Sequence, residues 1–241
     1  MGGIAGPSKD PQTIAGMFDA IAGRYDLLNH VLSGGLDWQW RRRAVRELGL
    51  TGNDRVIDLC TGTADLAMAA LRARPAGAQQ VIGVDFSAEM LRVGQRKVRA
   101  AALDGRVPLV RGDAVRLPLG SASADAAMIA FGIRNVVDPL EACREILRVL
   151  RPGGRLAVLE FAMPTAPMLR SLYAWYFRNV LPRVGRLVSR HSDAYDYLPA
   201  SVGTFFTPDE FGALVRSAGF ADVRAVPLTR GIVYLYVATK R

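Results

Sequence analysis

The stretch from Val56 to Asp85 constrains the fold of this chain more than any other feature of the sequence. An apolar run leads into a turn of small residues at 61–64, a helix-like alanine- and leucine-rich segment follows, and a second apolar run ends in Asp85. A strand, a tight turn, a helix and a strand with a terminal acid form a nucleotide-binding βαβ unit. We therefore expect backbone amides of the turn to approach a ligand and Asp85 to accept hydrogen bonds from its ribose hydroxyls.

The turn favours S-adenosylmethionine over a dinucleotide as the ligand. Gly62 is its only glycine, so the three-glycine fingerprint of a pyrophosphate site is absent. Asp58 lies inside the first strand near the turn, which suits a ligand with a ribose and a cationic amino-acid tail. Because buried carboxylates are costly without partners, we predict that Asp58, Gly62, Thr63 and Asp85 bind the cofactor. The alternatives are a capping acid beside a turn glycine and a variant dinucleotide site.

Strand-like and helix-like segments alternate from Val56 to the end of the chain. The strand-like runs are 56–60, 80–85, 107–111, 125–131, 154–161, 222–227 and 231–239, and the helix-like runs are 64–73, 87–102, 138–150 and 207–218. This alternation predicts an α/β fold with a seven-stranded, mostly parallel, doubly wound Rossmann-like sheet. The last two runs are too close together for a helical crossover, so we expect a terminal antiparallel hairpin, as in class I methyltransferases.

The chain divides into three predicted parts. Residues 1–12 are rich in glycine and proline and are predicted to be a flexible N-terminus, residues 13–50 form an N-terminal helical lid, and residues 51–241 form the methyltransferase domain. A helical cap insertion is predicted at 163–206. Its apolar residues recur at helical spacing between Leu169 and Leu181, which indicates either ordinary core packing or a cap that shelters a hydrophobic substrate.

Two further motifs follow strands at the edge where the ligand is expected. Asp113 and Ala114 follow the third strand, a position that suits an adenine ring; the alternative for Asp113 is a helix cap. Arg134 and Asn135 follow the fourth strand. An arginine stays protonated, so Arg134 can stabilise a developing phenolate or enolate; the alternative is an ion pair with Asp138.

The charge of the chain points to an anionic surface. Lys and Arg number 31 against 22 Asp and Glu, and residues 161–192 contain no acid but five arginines, at positions 170, 178, 183, 186 and 190. These arginines interleave with an apolar helical stripe, which favours a membrane surface over a nucleic acid. We find no signal peptide and no apolar run of the roughly 18–20 residues of a membrane span. The expected location is cytoplasmic and peripherally membrane-associated, with no metal site and with a homodimer left open.

Three segments resemble the C-methyltransferases of ubiquinone and menaquinone biosynthesis. They are YDLLNHVLSGGLDWQWRR at 25–42, FGIRNV at 131–136 and RVLRPGGRLAVLEFA at 148–162, and the resemblance extends over about residues 14–240. It implies that Thr63, Asp85, Asp113 and Ala114 contact S-adenosylmethionine and that Arg134 and Asn135 line the reacting centre. The substrate-binding residues that we predict are Tyr25, Asn29, Tyr173, Phe177 and His191.

The resemblance implies methylation of a ring carbon of a polyprenyl quinol, with demethylmenaquinol as the first choice. The turn CTGTAD at 60–65 is more similar to menaquinone-branch members of the family. Asp37 stands where the family usually has histidine, and Ala130 replaces a common serine. The alternatives are the benzoquinol of the ubiquinone pathway, another hydrophobic phenol and a nucleic-acid acceptor. The sequence does not identify the general base; a water molecule or His191 could serve.

Overall fold

Helices form the N-terminal part of the protein. A computed structural model describes residues 10–73, 79–164, 166–179 and 193–241. Three α-helices precede the sheet: α1 (Pro11–Ile21), α2 (Tyr25–Leu32) and α3 (Asp37–Glu47). Asp10 caps α1 by accepting a hydrogen bond from the backbone N–H of Thr13. Helical structure therefore begins two residues before the predicted lid boundary, and most of the predicted flexible N-terminus, residues 1–9, lies outside the described residues.

The remaining elements alternate as the sequence predicts. They are β1 (Arg55–Leu59), α4 (Asp65–Ala73), β2 (Gln80–Asp85), α5 (Ala88–Ala100), β3 (Leu109–Arg111), β4 (Ala124–Ala130), α6 (Pro139–Val149), β5 (Leu150–Phe161), α7 (Pro167–Asn179), α8 (Asp193–Thr204), α9 (Pro208–Ser217), β6 (Ala221–Leu228) and β7 (Val233–Thr239). The differences from the prediction are small: β3 is shorter, and β5 begins at Leu150 rather than at residue 154.

The seven strands form one sheet in the order β3-β2-β1-β4-β5-β7-β6. The strands from β3 to β5 are parallel, and β7 runs antiparallel between β5 and β6. The predicted α/β class and terminal hairpin are confirmed. The order reverses between β1 and β4, and ligands of doubly wound sheets bind in the crevice at the carboxyl ends of such strands.

Alternate residues of the central strands face opposite sides of the sheet. Val56 and Met128 pack into a cluster with α3 and α4, whereas Ile57 and Ile129 pack into a second cluster with α6 and α9. Burial on both faces explains the almost continuous apolar character of β1 and β4. Helix α3 therefore belongs to the core layer on one face of the sheet as well as to the predicted lid.

The cap helices close over the N-terminal helices. The hydroxyl of Tyr176 on α7 donates a hydrogen bond of 3.0 Å to the backbone oxygen of Leu32, at the end of α2. Tyr173 and Val202 form a small buried cluster between α7 and α8. Among the described residues, no helix combines the length and apolar character that crossing a bilayer requires.

Candidate active site

The turn after β1 has a left-handed backbone conformation that residues other than glycine rarely adopt. Cys60, Gly62 and Ala64 have φ values of 50°, 54° and 67°. The turn delivers the N–H of Gly62 to Asp85, whose Oδ2 accepts it at 2.8 Å. Left-handed conformations at non-glycine residues carry strain that the surrounding structure must offset, and they cluster at functional sites. The βαβ turn predicted from the sequence is thus a constrained loop at the crevice.

Asp85 is a partly buried carboxylate that faces a cavity. It accepts hydrogen bonds from the backbone N–H groups of Gly62 and Ser87. Burial raises the pKa of Asp85, and these two donors oppose the rise. Further hydrogen-bond donors would stabilise the charged form of this carboxylate, and the hydroxyls of a ribose supply two. This residue therefore fits the predicted role in holding a nucleoside.

The first cavity, which we call the cofactor cavity, has a volume of about 130 Å³. It lies at the carboxyl ends of β1, β2 and β4 and is lined by Ile14, Phe18, Tyr25, Cys60, Gly62, Asp85, Phe86, Met90, Asp113, Ala114, Phe131, Asn135 and Val137, among others. Apolar side chains beside two carboxylates suit an adenosine with its ribose. Gly132 is required here, because a Cβ at this position would lie 2.3 Å from the Cβ of Cys60.

Two of the predicted cofactor residues lie behind the turn and do not line the cofactor cavity. Asp58 is buried, and its Oδ2 accepts hydrogen bonds from the Thr61 hydroxyl at 2.6 Å and the Ala67 N–H at 3.0 Å. Burial raises the pKa of Asp58 to about 7. Thr63 donates its hydroxyl to Asp26 of α2. These contacts hold the turn in place, because they join it to the start of α4 and to α2.

An ion-pair cluster fastens α2 to the domain beneath it. Lys97 of α5 lies 2.5 Å from Asp26 and 2.5 Å from Asp65, and it also donates to the Thr63 hydroxyl. We call these four residues the latch. A second contact joins Asp19 of α1 to the Ser87 hydroxyl at 2.5 Å. The N-terminal helices are therefore attached by charged contacts beside the cofactor cavity.

The second cavity, which we call the acceptor cavity, has a volume of about 390 Å³ and an aromatic wall. Phe131 stacks on Phe161 with 4.5 Å between ring centroids, and Trp40 packs edge-on against both rings. Phe18, Tyr25 and Phe131 line both cavities. The two cavities therefore meet at these three rings.

Arg134 lines the acceptor cavity and is held by Glu160. Its Nη1 lies 2.8 Å from Oε1 of Glu160, and it also donates to the backbone oxygen of Phe131. Burial raises the pKa of Glu160, and the charge of Arg134 opposes the rise. The alternative partner considered from the sequence, Asp138, instead caps α6 by accepting from the Glu141 N–H. Arg134 thus forms an ion pair with Glu160 of β5 rather than with an acid of its own loop.

Asn135 lies across the junction and lines the cofactor cavity. Its Oδ1 accepts a hydrogen bond of 3.0 Å from the Tyr197 hydroxyl of α8. With the oxygen engaged in this way, the Nδ2 group remains available as a donor. The cap helix α8 therefore sets the orientation of a residue in the wall of the cofactor cavity.

The predicted substrate residues divide into two groups. Tyr25, Asn29 and Tyr173 line the acceptor cavity. The side chain of Phe177 and the whole of His191 lie outside the described residues, so their predicted roles stay predictions. The structure therefore brings three of the five predicted residues together around the acceptor cavity. Tyr25 also lines the cofactor cavity.

Several residues of the site escaped the sequence analysis. Of these residues, Glu160 was the easiest to predict from the sequence, because a carboxylate at the end of the apolar run LAVLEF is costly unless it is paired. Tyr197 and Lys97 carried no local signal. Their partners lie 62 and 71 residues away in the chain, and such contacts become visible only once the fold is formed.

The strand order and the nucleotide-binding turn at the crevice define a class I, S-adenosylmethionine-dependent methyltransferase. The model of the ubiE/COQ5 methyltransferase family matches residues 7–240, and the chain belongs to this family. A protein of Syntrophotalea carbinolica named ubiquinone/menaquinone biosynthesis C-methyltransferase is 50% identical over 95% of this chain and 94% of its own length. A demethylmenaquinone methyltransferase of Mycolicibacterium vanbaalenii is 44% identical over 96% of both chains.

Solved structures of low sequence identity share the fold. A methyltransferase from Thermotoga maritima superposes with a TM-score of 0.62 at 21% identity and covers 93% of this chain and 98% of its own. A methyltransferase from Aquifex aeolicus has a TM-score of 0.60 at 18% identity over 95% of this chain and 97% of its own. These similarities support the architecture alone.

Proposed function

We propose that this protein methylates a ring carbon of a polyprenyl quinol, with demethylmenaquinol as the preferred acceptor. The observation that carries the proposal is the aromatic acceptor cavity that meets the cofactor cavity at Phe18, Tyr25 and Phe131. The names of the relatives point to quinone-ring C-methylation. A planar ring suits the stacked aromatic wall, because offset and edge-on ring contacts are favourable.

The cofactor cavity fits S-adenosylmethionine, which supplies an electrophilic methyl group when bound. Asp85 would accept from the ribose hydroxyls, and Asp113 and Ala114 would face the adenine. Gly62 leaves room for the backbone to approach the ligand. Asp58 and Thr63 would act on affinity indirectly, by holding the turn. No residue in this set needs to transfer a proton, so its contribution is binding and orientation.

The acceptor needs a group that stabilises negative charge on its oxygen. As the quinol hydroxyl loses its proton, electron density rises at the neighbouring ring carbon, which forms the new bond to the methyl carbon. Arg134 would stabilise the oxyanion, and Glu160 fixes the direction of its guanidinium. Asn135 would donate from Nδ2 to the same oxygen because Tyr197 occupies its Oδ1. Loss of the ring proton then restores aromaticity, and the quinol oxygen regains a proton, so that one proton in total leaves for each methyl group transferred.

The outer surface suggests how a membrane-embedded substrate reaches the cavity. Trp175 lines the acceptor cavity and is 54% exposed. Leu27 and Val31 on α2 and Met168 on α7 are exposed as well. An isoprenoid tail gains about 0.8 kcal/mol for each buried CH₂. We propose that these side chains face the bilayer and that the tail enters beside Trp175.

A basic groove on the N-terminal helices would favour anionic lipid. Trp38, Arg42, Arg46 and Arg72 line a groove between α3 and α4, and no acidic side chain among the described residues pairs with these arginines. Of the five arginines predicted to face the membrane, those at 170 and 178 lie on α7 with undescribed side chains, and the other three lie outside the described residues. Co-sedimentation should increase with the anionic lipid content of vesicles; equal binding to neutral vesicles would remove the electrostatic part of the proposal.

Parallel assays with two acceptors test the choice of quinol. Labelled S-adenosylmethionine is supplied with demethylmenaquinol or with a demethylated benzoquinol that carries the same prenyl tail. We expect transfer to the naphthoquinol to have the higher kcat/KM. A higher kcat/KM for the benzoquinol would assign the protein to the ubiquinone branch, and a nucleic acid acceptor would be revealed by activity that nuclease treatment abolishes.

A further inference from the structure

The proposed methylation releases one proton for each methyl group transferred. A ring carbon exchanges its hydrogen for CH₃, the donor sulfur becomes neutral, and the hydrogen leaves as H⁺. The acceptor cavity opens beside Trp175, on the surface proposed to face the bilayer, so this proton needs a separate route to water. Arg134 cannot accept it, because an arginine remains protonated. Another group of the cavity wall has to take up the proton.

The tyrosines of the cavity are poor candidates for this task. Burial raises the pKa of Tyr25, Tyr173, Tyr176 and Tyr197 above the ordinary value for tyrosine. Each therefore stays protonated at neutral pH and has no vacancy for a second proton. Among the described residues that line the acceptor cavity, Asp37 is the only carboxylate.

Asp37 links the cavity to a solvent-exposed histidine. Its side chain is 6% exposed, and its Oδ1 lies 3.1 Å from Nδ1 of His30, whose side chain is 52% exposed. Arg41 pairs with the other oxygen of Asp37, and the Ser33 hydroxyl donates to Oδ1. The charged groups facing this pair are Arg41 on α3 and, across the cavity, Arg134. Carboxylate and imidazole thus form a chain of two proton-accepting groups from a buried space to solvent.

We propose that Asp37 and His30 carry the proton of the methylation from the acceptor cavity to solvent. Asp37 receives it from the quinol and passes it to Nδ1 of His30, and the opposite ring nitrogen releases a proton to water. The inference rests on the proposed function, since it needs an acceptor that loses a proton in this cavity.

The test replaces His30, because its side chain is exposed and its removal should change the stability of the fold little. In His30→Ala we expect kcat for the quinol to fall about 100-fold, at the lower end of the effect of general acid–base catalysis, with unchanged affinity for S-adenosylmethionine. External imidazole should restore the rate in proportion to its neutral form.

Two controls separate a proton path from a structural role. Arg43→Gln removes an exposed ion pair with Glu47 within α3, the helix that carries Asp37, and should leave the rate unchanged with or without imidazole. An unaltered rate in His30→Ala, or a loss that imidazole does not restore, would overturn the inference. A wild-type protein that binds S-adenosylmethionine but methylates no quinol would instead contradict the proposed function.

Discussion

Arg134 and Glu160 form a buried ion pair at the wall of the acceptor cavity. Their side chains are 6% and 0% exposed, and Nη1 lies 2.8 Å from Oε1. Burial acts against the charge of Arg134, yet the neighbouring carboxylate outweighs it and raises the pKa of the guanidinium. The pair therefore keeps a cation, fixed in direction, beside the place where the acceptor oxygen is proposed to bind.

Replacing Arg134 with alanine should lower kcat by about 100-fold or more, as the removal of an oxyanion-stabilising donor does. The dissociation constant of S-adenosylmethionine should change little, because Arg134 does not line the cofactor cavity. Single-turnover methyl transfer and calorimetric titration measure the two quantities. Arg134→Lys keeps a positive charge beside Glu160 and serves as the control for folding. Equal losses of turnover and cofactor affinity would contradict the assigned role.

Replacing Tyr197 with phenylalanine should lower kcat about two- to tenfold, the effect of a single hydrogen bond worth roughly 0.5–1.5 kcal/mol. The reason is that Asn135 loses the partner that orients its amide. Steady-state assays should show the loss mainly in kcat. Tyr234→Phe offers a matched control, since this tyrosine of β7 lines neither cavity. Equal effects of the two substitutions would refute the positioning role of Tyr197.

Replacing Lys97 with methionine should weaken binding of S-adenosylmethionine about fivefold. Two partly exposed ion pairs between Lys97 and the latch acids are lost, and such pairs contribute roughly 1 kcal/mol together. Arg99→Met on the same helix removes an exposed contact with Asp104 and should leave affinity unchanged. Calorimetry measures both variants. Unchanged affinity in Lys97→Met would show that the latch does not support the cofactor cavity.

Asp58 should make stability fall as pH rises. Its pKa is about 7 when folded against an ordinary value of 3.8, so the folded state holds a proton that the unfolded state has released. The contribution of Asp58 to stability is fully present below pH 3.8 and is lost as pH rises to about 7, at up to about 1.4 kcal/mol per pH unit. Asp58→Asn retains an acceptor oxygen but does not titrate. Denaturant titrations at several pH values should therefore show that the free energy of unfolding of Asp58→Asn increases relative to that of the wild type as pH rises over this range. A difference in free energy that does not change with pH would contradict the account.

The fold followed from the sequence because its signals are local. The apolar runs around β1 and β4 are buried on both faces, and Pro208 and Gly219 bracket α9 with ordinary helix start and stop residues. The short link around Thr229 and Arg230 permits only an antiparallel return. Each of these features lies within one or two neighbouring elements, so the local sequence pattern was enough to predict it.

The site followed only in part, because its geometry depends on distant residues. Asp85, Gly62 and Arg134 were recognisable from their positions at strand ends. The sequence could not show that Asp58 turns its carboxylate toward Thr61 and Ala67 rather than toward the cavity. Direction of a side chain, unlike its place along a strand, is set by packing against elements far away in the chain.

The most direct test of the account locates the transferred methyl group. The protein is incubated with S-adenosylmethionine carrying a labelled methyl and with demethylmenaquinol, and the product is analysed by mass spectrometry and NMR. We predict one labelled methyl on the quinol ring carbon and none on oxygen, with turnover lost in Arg134→Ala. A product methylated on oxygen, or no product although S-adenosylmethionine binds, would contradict the proposed function of the two joined cavities.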